Sequence, residues 1–142
     1  MSLVAVSSLA YQTEVAVALG GADRAARLYA TFEPYREQVV IGGMGDGCMG
    51  AVDRYLGMLA AVAGRRAQAE AHYETALRIE TGLRSPPLLA RTRYWHGRML
   101  IQLGGTADRG RAEELLVLSR DTAEWLGMAH LSAQARALLS RA

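Results

Sequence analysis

The stretch VDRYLGMLAAVAGRRAQAEAHYETAL, residues 52–77, decides the fold. Val52, Leu56, Leu59, Ala60 and Ala63 recur at the offsets of one helix face. After Gly64 a second stripe, Ala69, Tyr73, Ala76 and Leu77, does the same. Two helices joined by a short glycine turn make an antiparallel hairpin. The second helix is expected to stop near Gly82, where a glycine tolerates a left-handed C-terminal conformation.

The unit recurs on both sides. Upstream, a helix from about Val4 to Leu19 meets Gly20-Gly21, and a second helix carries Ala25, Tyr29 and Phe32 before Pro34 ends it. Downstream, Ser85 caps a helix whose first turn tolerates Pro86 and Pro87, because amides there lack helical partners. That helix runs to Leu103 and Gly104-Gly105. Asp108 then caps a helix carrying Ala112, Leu115, Leu116, Ser119, Ala123 and Leu126, and a last helix presents Leu131, Ala135, Leu138 and Leu139. The expectation is an all-α single domain over residues 1–142, with hairpins at about 4–33, 49–82 and 86–127, a terminal helix at about 129–141, seven helices and no strand.

The turns at Gly20, Gly64 and Gly104 are 44 and 40 residues apart, a period of helical repeat proteins. Aligned on them, Ala25, Ala69 and Ala112 fall in register if the third turn has three extra residues, and Tyr29, Tyr73 and Leu116 follow four later. A small residue where helices cross, with a large one a turn away, suits close hairpin packing.

Leu56-Gly57, Ala60, Gly64, Ala69, Tyr73 and Ala76 resemble a tetratricopeptide repeat in type and spacing. Gly97, Leu100 and Gly104 keep part of the pattern, and so do Ala16, Gly20, Ala25 and Tyr29. With phrases such as "LARTRYWHGRML" and "AEWLGMAHLSAQARALL", the chain resembles the tetratricopeptide-like C-terminal region of large bacterial signalling proteins. In that family the repeats follow an ATPase module and accompany nucleotide-cyclase or LuxR-type DNA-binding domains. The resemblance implies a right-handed solenoid. It also implies a groove faced by Glu14, Arg54, Met58, Arg91, Tyr94, Arg98 and Gln102, where three arginines around an aromatic suit a peptide carboxylate or acidic segment.

Between the first two hairpins lies QVVIGGMGDGCMG, residues 38–50. Gly45-x-Gly47-x-x-Gly50 has the outline of a dinucleotide loop, but that unit needs a second strand ending in an acidic residue about 20 positions on. Glu70 sits there within a helical pattern, so the stretch reads as a glycine-rich connection that packs Val39, Val40 or Ile41 on the helices.

Composition excludes several classes. The 142 residues are 51% hydrophobic and 21% charged, with a net charge of +2, as in globular chains and unlike disordered tails. All 16 basic residues are arginine, so a phosphate loop requiring lysine is absent. No basic run exceeds Arg65-Arg66, and direct nucleic-acid binding is not expected. The lone Cys48 rules out an internal disulfide, and no stretch approaches a membrane span. His72, His96 and His130 lack partners at metal-ligand spacing. Trp95 and Trp125 are each expected between helices, and Glu74 and Arg78 as an intrahelical pair.

The expected function is therefore a cytoplasmic, non-catalytic interaction or regulatory module without metal or cofactor. It would bind a protein segment or neighbouring domains of a longer regulator. Leu131, Leu138 and Leu139 either cap the last hairpin or form a homodimer face. The alternative is a sensor holding a nucleotide or sugar in the groove or in the Gly42–Gly50 loop.

Overall fold

A computed structural model describes residues 3–42 and 47–141. Among them are seven α-helices: α1 (Leu3–Leu19), α2 (Ala22–Phe32), α3 (Val52–Val62), α4 (Arg66–Gly82), α5 (Pro86–Leu103), α6 (Arg109–Leu126) and α7 (Ala129–Leu139). The chain divides into two compact units, Met1–Ile79 and Glu80–Ala142, with the boundary inside α4. No helix among the described residues is long and apolar enough to cross a membrane.

In the first unit, the turn between α3 and α4 follows from Gly64, whose φ is +75°. Its amide donates to Ala61 O at 3.0 Å and that of Arg65 to Ala60 O at 2.8 Å. The last carbonyls of α3 are thereby satisfied while the chain reverses.

The connection between α2 and α3 corrects the expectation of no strand. Val39–Ile41 (β1) and Cys48–Ala51 (β2) pair antiparallel, with Val39 opposite Ala51, Val40 opposite Gly50 and Ile41 opposite Cys48. Met49 is the extra residue of a bulge, and Gly50 beside it takes φ +107°, which only glycine adopts readily. Three residues are too few to display a two-residue period. The tip, with Gly45 of the glycine motif, lies outside the described residues. The two strands run antiparallel, whereas a dinucleotide unit needs parallel strands joined by a helix. Val40 is fully buried, and β1 packs against α1. Every residue from Gly50 to Ala60 is buried, and the Phe32 ring stacks on Tyr55 with centroids 6.0 Å apart.

At the start of the second unit, α4 ends at Gly82, as expected, but the left-handed residue lies beyond it. Arg84, not Gly82, takes the left-handed conformation at φ +52°. The Arg84 amide donates to Thr81 O at 3.0 Å and that of Ser85 to Glu80 O at 3.3 Å. Ser85 precedes α5 without a side-chain cap bond; Pro86 and Pro87 carry no amide to donate, and the Ser85 carbonyl accepts the Leu89 amide at 3.1 Å. Buried Thr92 donates to Glu80 Oε1 at 2.5 Å. The three extra residues of the third turn are a 3-10 turn, Thr106–Asp108. Asp108 does not cap α6 with its side chain; its Oδ2 accepts the Gly105 amide at 2.9 Å.

Ser119 Oγ then ties α6 to α5 through Ala90 O at 2.7 Å. Ala90, Tyr94, Leu116, Ala123, Leu131 and Ala135 form the core, with Trp95, Leu138 and Leu139 packed against it. Leu131 is buried in that core, while Leu138 and Leu139 pack on it and stay part-exposed. Trp125, expected between helices, is 78% exposed.

One packing device appears in both units. A Cβ on Gly57 would meet the Tyr73 ring at 2.8–3.0 Å, and one on Gly97 would meet Leu116 Cγ at 2.8 Å. The glycine and its partner are 16 residues apart in one unit and 19 in the other; the difference equals the 3-10 turn. In the first hairpin the register places Thr13 where those glycines stand. Its hydroxyl donates to Leu9 O at 2.8 Å, and Tyr29 packs edge-on against His72, with ring centroids 5.5 Å apart.

Candidate functional site

α1 is apolar nearly all round. Val6, Leu9, Ala10 and Ala16 enter the core, while Val4, Tyr11 and Val15 lie on another face and are 61%, 57% and 55% exposed. A helix with apolar residues on all sides is normally covered on all sides. Beside that face runs α2, whose buried residues are Ala25 and Phe32. Between the two helices lies an open groove of about 680 Å³, with Val4, Tyr11, Val15 and Leu28 as apolar lining and Arg24 and Arg27 among its other residues. Arg24 and Arg27 are exposed, and neither guanidinium has a hydrogen-bond or ion-pair partner among the described residues. The groove therefore offers apolar area and two unneutralised cations, which suits an apolar stripe flanked by carboxylates.

A polar chain crosses the same unit. Tyr29 Oη donates to His72 Nε2 at 2.6 Å, and His72 Nδ1 donates to Asp53 Oδ1 at 2.9 Å. Asp53 Oδ2 accepts the Glu37 amide at 2.6 Å, and Glu37 holds φ +65° in the turn before β1. The carboxylate fixes the imidazole tautomer, leaving Nε2 as the acceptor for the phenol. This order of carboxylate, imidazole and hydroxyl is that of a hydrolytic triad. Here, however, burial pushes the Tyr29 phenol above its ordinary range, and the Glu33 carboxylate adds to the rise. Its proton is therefore held at neutral pH and donated to His72 in a hydrogen bond that ties α2 to α4. The chain joins α2, α3, α4 and the turn before β1.

The residues expected to face a groove are differently placed. Arg54 is 3% exposed: its Nη2 donates to Met49 O and, at 3.2 Å, to Tyr55 Oη, with the guanidinium 4.9 Å from the Tyr55 ring centroid. Met58 is buried as well. Both lie on a helix that has no solvent face from Val52 to Ala60, so neither lines an open surface. Glu14 is exposed on α1 and lies outside the groove lining. In the second unit Tyr94 is a core residue, packed edge-on against Trp95 at 5.2 Å. Arg98 covers Trp95 at 5.0 Å, and Arg91 and Gln102 are exposed. Arg78 lies 3.8 Å from Glu37, both well exposed.

Sequence reasoning missed Arg24, Arg27, Tyr11 and Val15. The available signal was the apolar excess of Leu3–Leu19 beyond the one face a hairpin buries. No protein-family model, curated protein or solved structure matches the chain.

Proposed function

We propose that the chain is a non-catalytic protein-interaction module whose α1–α2 groove receives an amphipathic helical segment. In this reading the hairpins are tetratricopeptide-like, stack as a right-handed solenoid, and serve a bacterial signalling or transcriptional regulator. The observation that carries the proposal is the groove itself: large apolar side chains in water beside two unpaired arginines. The repeated glycine packing at Gly57 and Gly97 supports the repeat reading. The Tyr29–His72–Asp53 chain, which joins α2, α3, α4 and the turn before β1, supports a structural tie within the unit.

The test is titration of the full chain into a labelled helical peptide bearing a leucine and tryptophan stripe flanked by glutamates. Val15→Asp and the double variant Arg24→Glu/Arg27→Glu are each expected to weaken binding at least tenfold. Absence of binding by the wild type, or unchanged affinity of both variants, refutes the reading.

The groove volume also lies within the range of small-molecule sites, which keeps the sensor reading as the second one. A nucleotide or sugar at about 100 times its dissociation constant would stabilise the fold by about 2.7 kcal/mol. A thermal-shift panel of such ligands separates the two readings.

A further inference from the structure

We propose that the segment received by the groove is α6 of a second copy of this chain, an inference that rests on the interaction reading above. α6 carries an exposed stripe at helical offsets: Glu114, Leu118, Asp121 and Trp125. Leu118 is 48% exposed and Trp125 78%. A tryptophan held in water at the end of a well-packed helix is the residue type that dominates contact surfaces. Val15 lies eleven positions after Val4, and Trp125 eleven after Glu114, about 16 Å of helix in each case, so the stripe matches the groove in length.

The charges match too. Arg24 and Arg27 have no ion-pair partner among the described residues, and neither do Glu113 and Glu114 at the exposed start of α6. Asp121 is held by Arg120 at 2.9 Å, so the two glutamates are the carboxylates left for the groove arginines. In the docked state α6 runs antiparallel to α1, so that Glu113 and Glu114 reach the guanidiniums beside Val15, Leu118 lies against Tyr11 and Leu28, and Trp125 lies toward Val4. Such a contact joins two different surfaces, so it is heterologous: each copy offers both a groove and a stripe.

The experiment measures the mass of the full chain by light scattering from micromolar to millimolar concentration. Wild type is expected to grow in mass with concentration. Trp125→Ser, Arg24→Glu/Arg27→Glu and Glu113→Arg/Glu114→Arg, each folded by circular dichroism, are expected to stay monomeric. An equimolar mixture of the last two variants restores assembly, because the reversed groove accepts the reversed helix while the two unaltered surfaces also meet. A wild type that stays monomeric throughout, or a mixture no heavier than its separate components, overturns the proposal. If the wild type is monomeric yet binds the labelled acidic helix peptide, the occupant is a different protein and the interaction reading stands. If it binds neither, both fail.

Discussion

Gly57 lies so close beneath Tyr73 that an added methyl would meet three ring carbons at 2.8–3.0 Å. Tyr73 is fully buried, so its ring cannot move aside without disturbing the contact between α3 and α4. Overpacking of this kind costs about 1–3 kcal/mol and exceeds the gain of up to about 1 kcal/mol from replacing a helical glycine by alanine. Gly57→Ala is therefore expected to lower the unfolding free energy in urea by about 1–2 kcal/mol. Gly110→Ala in α6, where nothing lies within 4 Å, should leave it unchanged or slightly raised. Equal effects of the two would show that the close approach carries no cost.

Arg84 turns the chain after α4 at φ +52°. A side chain in this conformation costs about 1 kcal/mol or more, and Arg84 is exposed. Arg84→Gly removes that strain, offset in part by the greater freedom glycine gives the unfolded chain. The expected net gain is about 0.5 kcal/mol, seen as a higher urea midpoint with an unchanged slope. A loss of stability would mean that the arginine contributes a contact greater than its backbone strain.

The helices and their turns are legible in the sequence because each hairpin repeats one stripe and one glycine over many residues. Ala25, Ala69 and Ala112, aligned by that register, are all buried. The strand pair is not legible: Val39–Ile41 is short, and its partner is identified only by the register that Gly50 and the Met49 bulge impose. Nor is the burial of Arg54 and Met58, since periodicity marks the apolar side of α3 and does not reveal that its other side is covered too. Exposure at Trp125 and Tyr11 is hidden for the converse reason: an apolar residue reads as core whether or not anything lies against it. The Tyr29–His72–Asp53 chain joins residues 43 and 19 positions apart, beyond any local pattern.

That chain sets two expectations. Asp53 accepts from both the Glu37 amide and His72, so Asp53→Ala leaves two donors without their acceptor, at about 1–3 kcal/mol each when buried. A total loss of about 3 kcal/mol by urea unfolding is expected, against about 1 kcal/mol for Tyr29→Phe, whose phenol is only part-buried. A loss below about 1 kcal/mol for Asp53→Ala would remove the structural role assigned to the chain.

The second expectation concerns pH. Burial and Glu33 raise the Tyr29 pKa in the folded state, so above the unfolded value, about 10, the folded chain retains a proton that the unfolded chain has released. The stabilisation is complete below that pH and is lost as pH rises through the folded value. Wild type should lose stability more steeply than Tyr29→Phe above about pH 10. Parallel curves would contradict the shift.

Arg54 bears on how any binding experiment is read. Met49 is the bulged residue of β2, and bulged residues are left out of the ladder. Its carbonyl is satisfied by the Arg54 guanidinium and by Tyr55 Oη at 3.3 Å. Arg54→Met keeps the volume of the side chain but removes a charge-assisted donor, leaving the carbonyl to the tyrosine alone. The expected cost is about 2 kcal/mol, with hydrogen exchange quickening first at the amides of β1 and β2. A variant at this position that weakens partner binding would therefore do so through the strand pair. If Arg54→Met keeps full stability and unaltered exchange while abolishing partner binding, the residue contacts the partner and the bracing role is wrong.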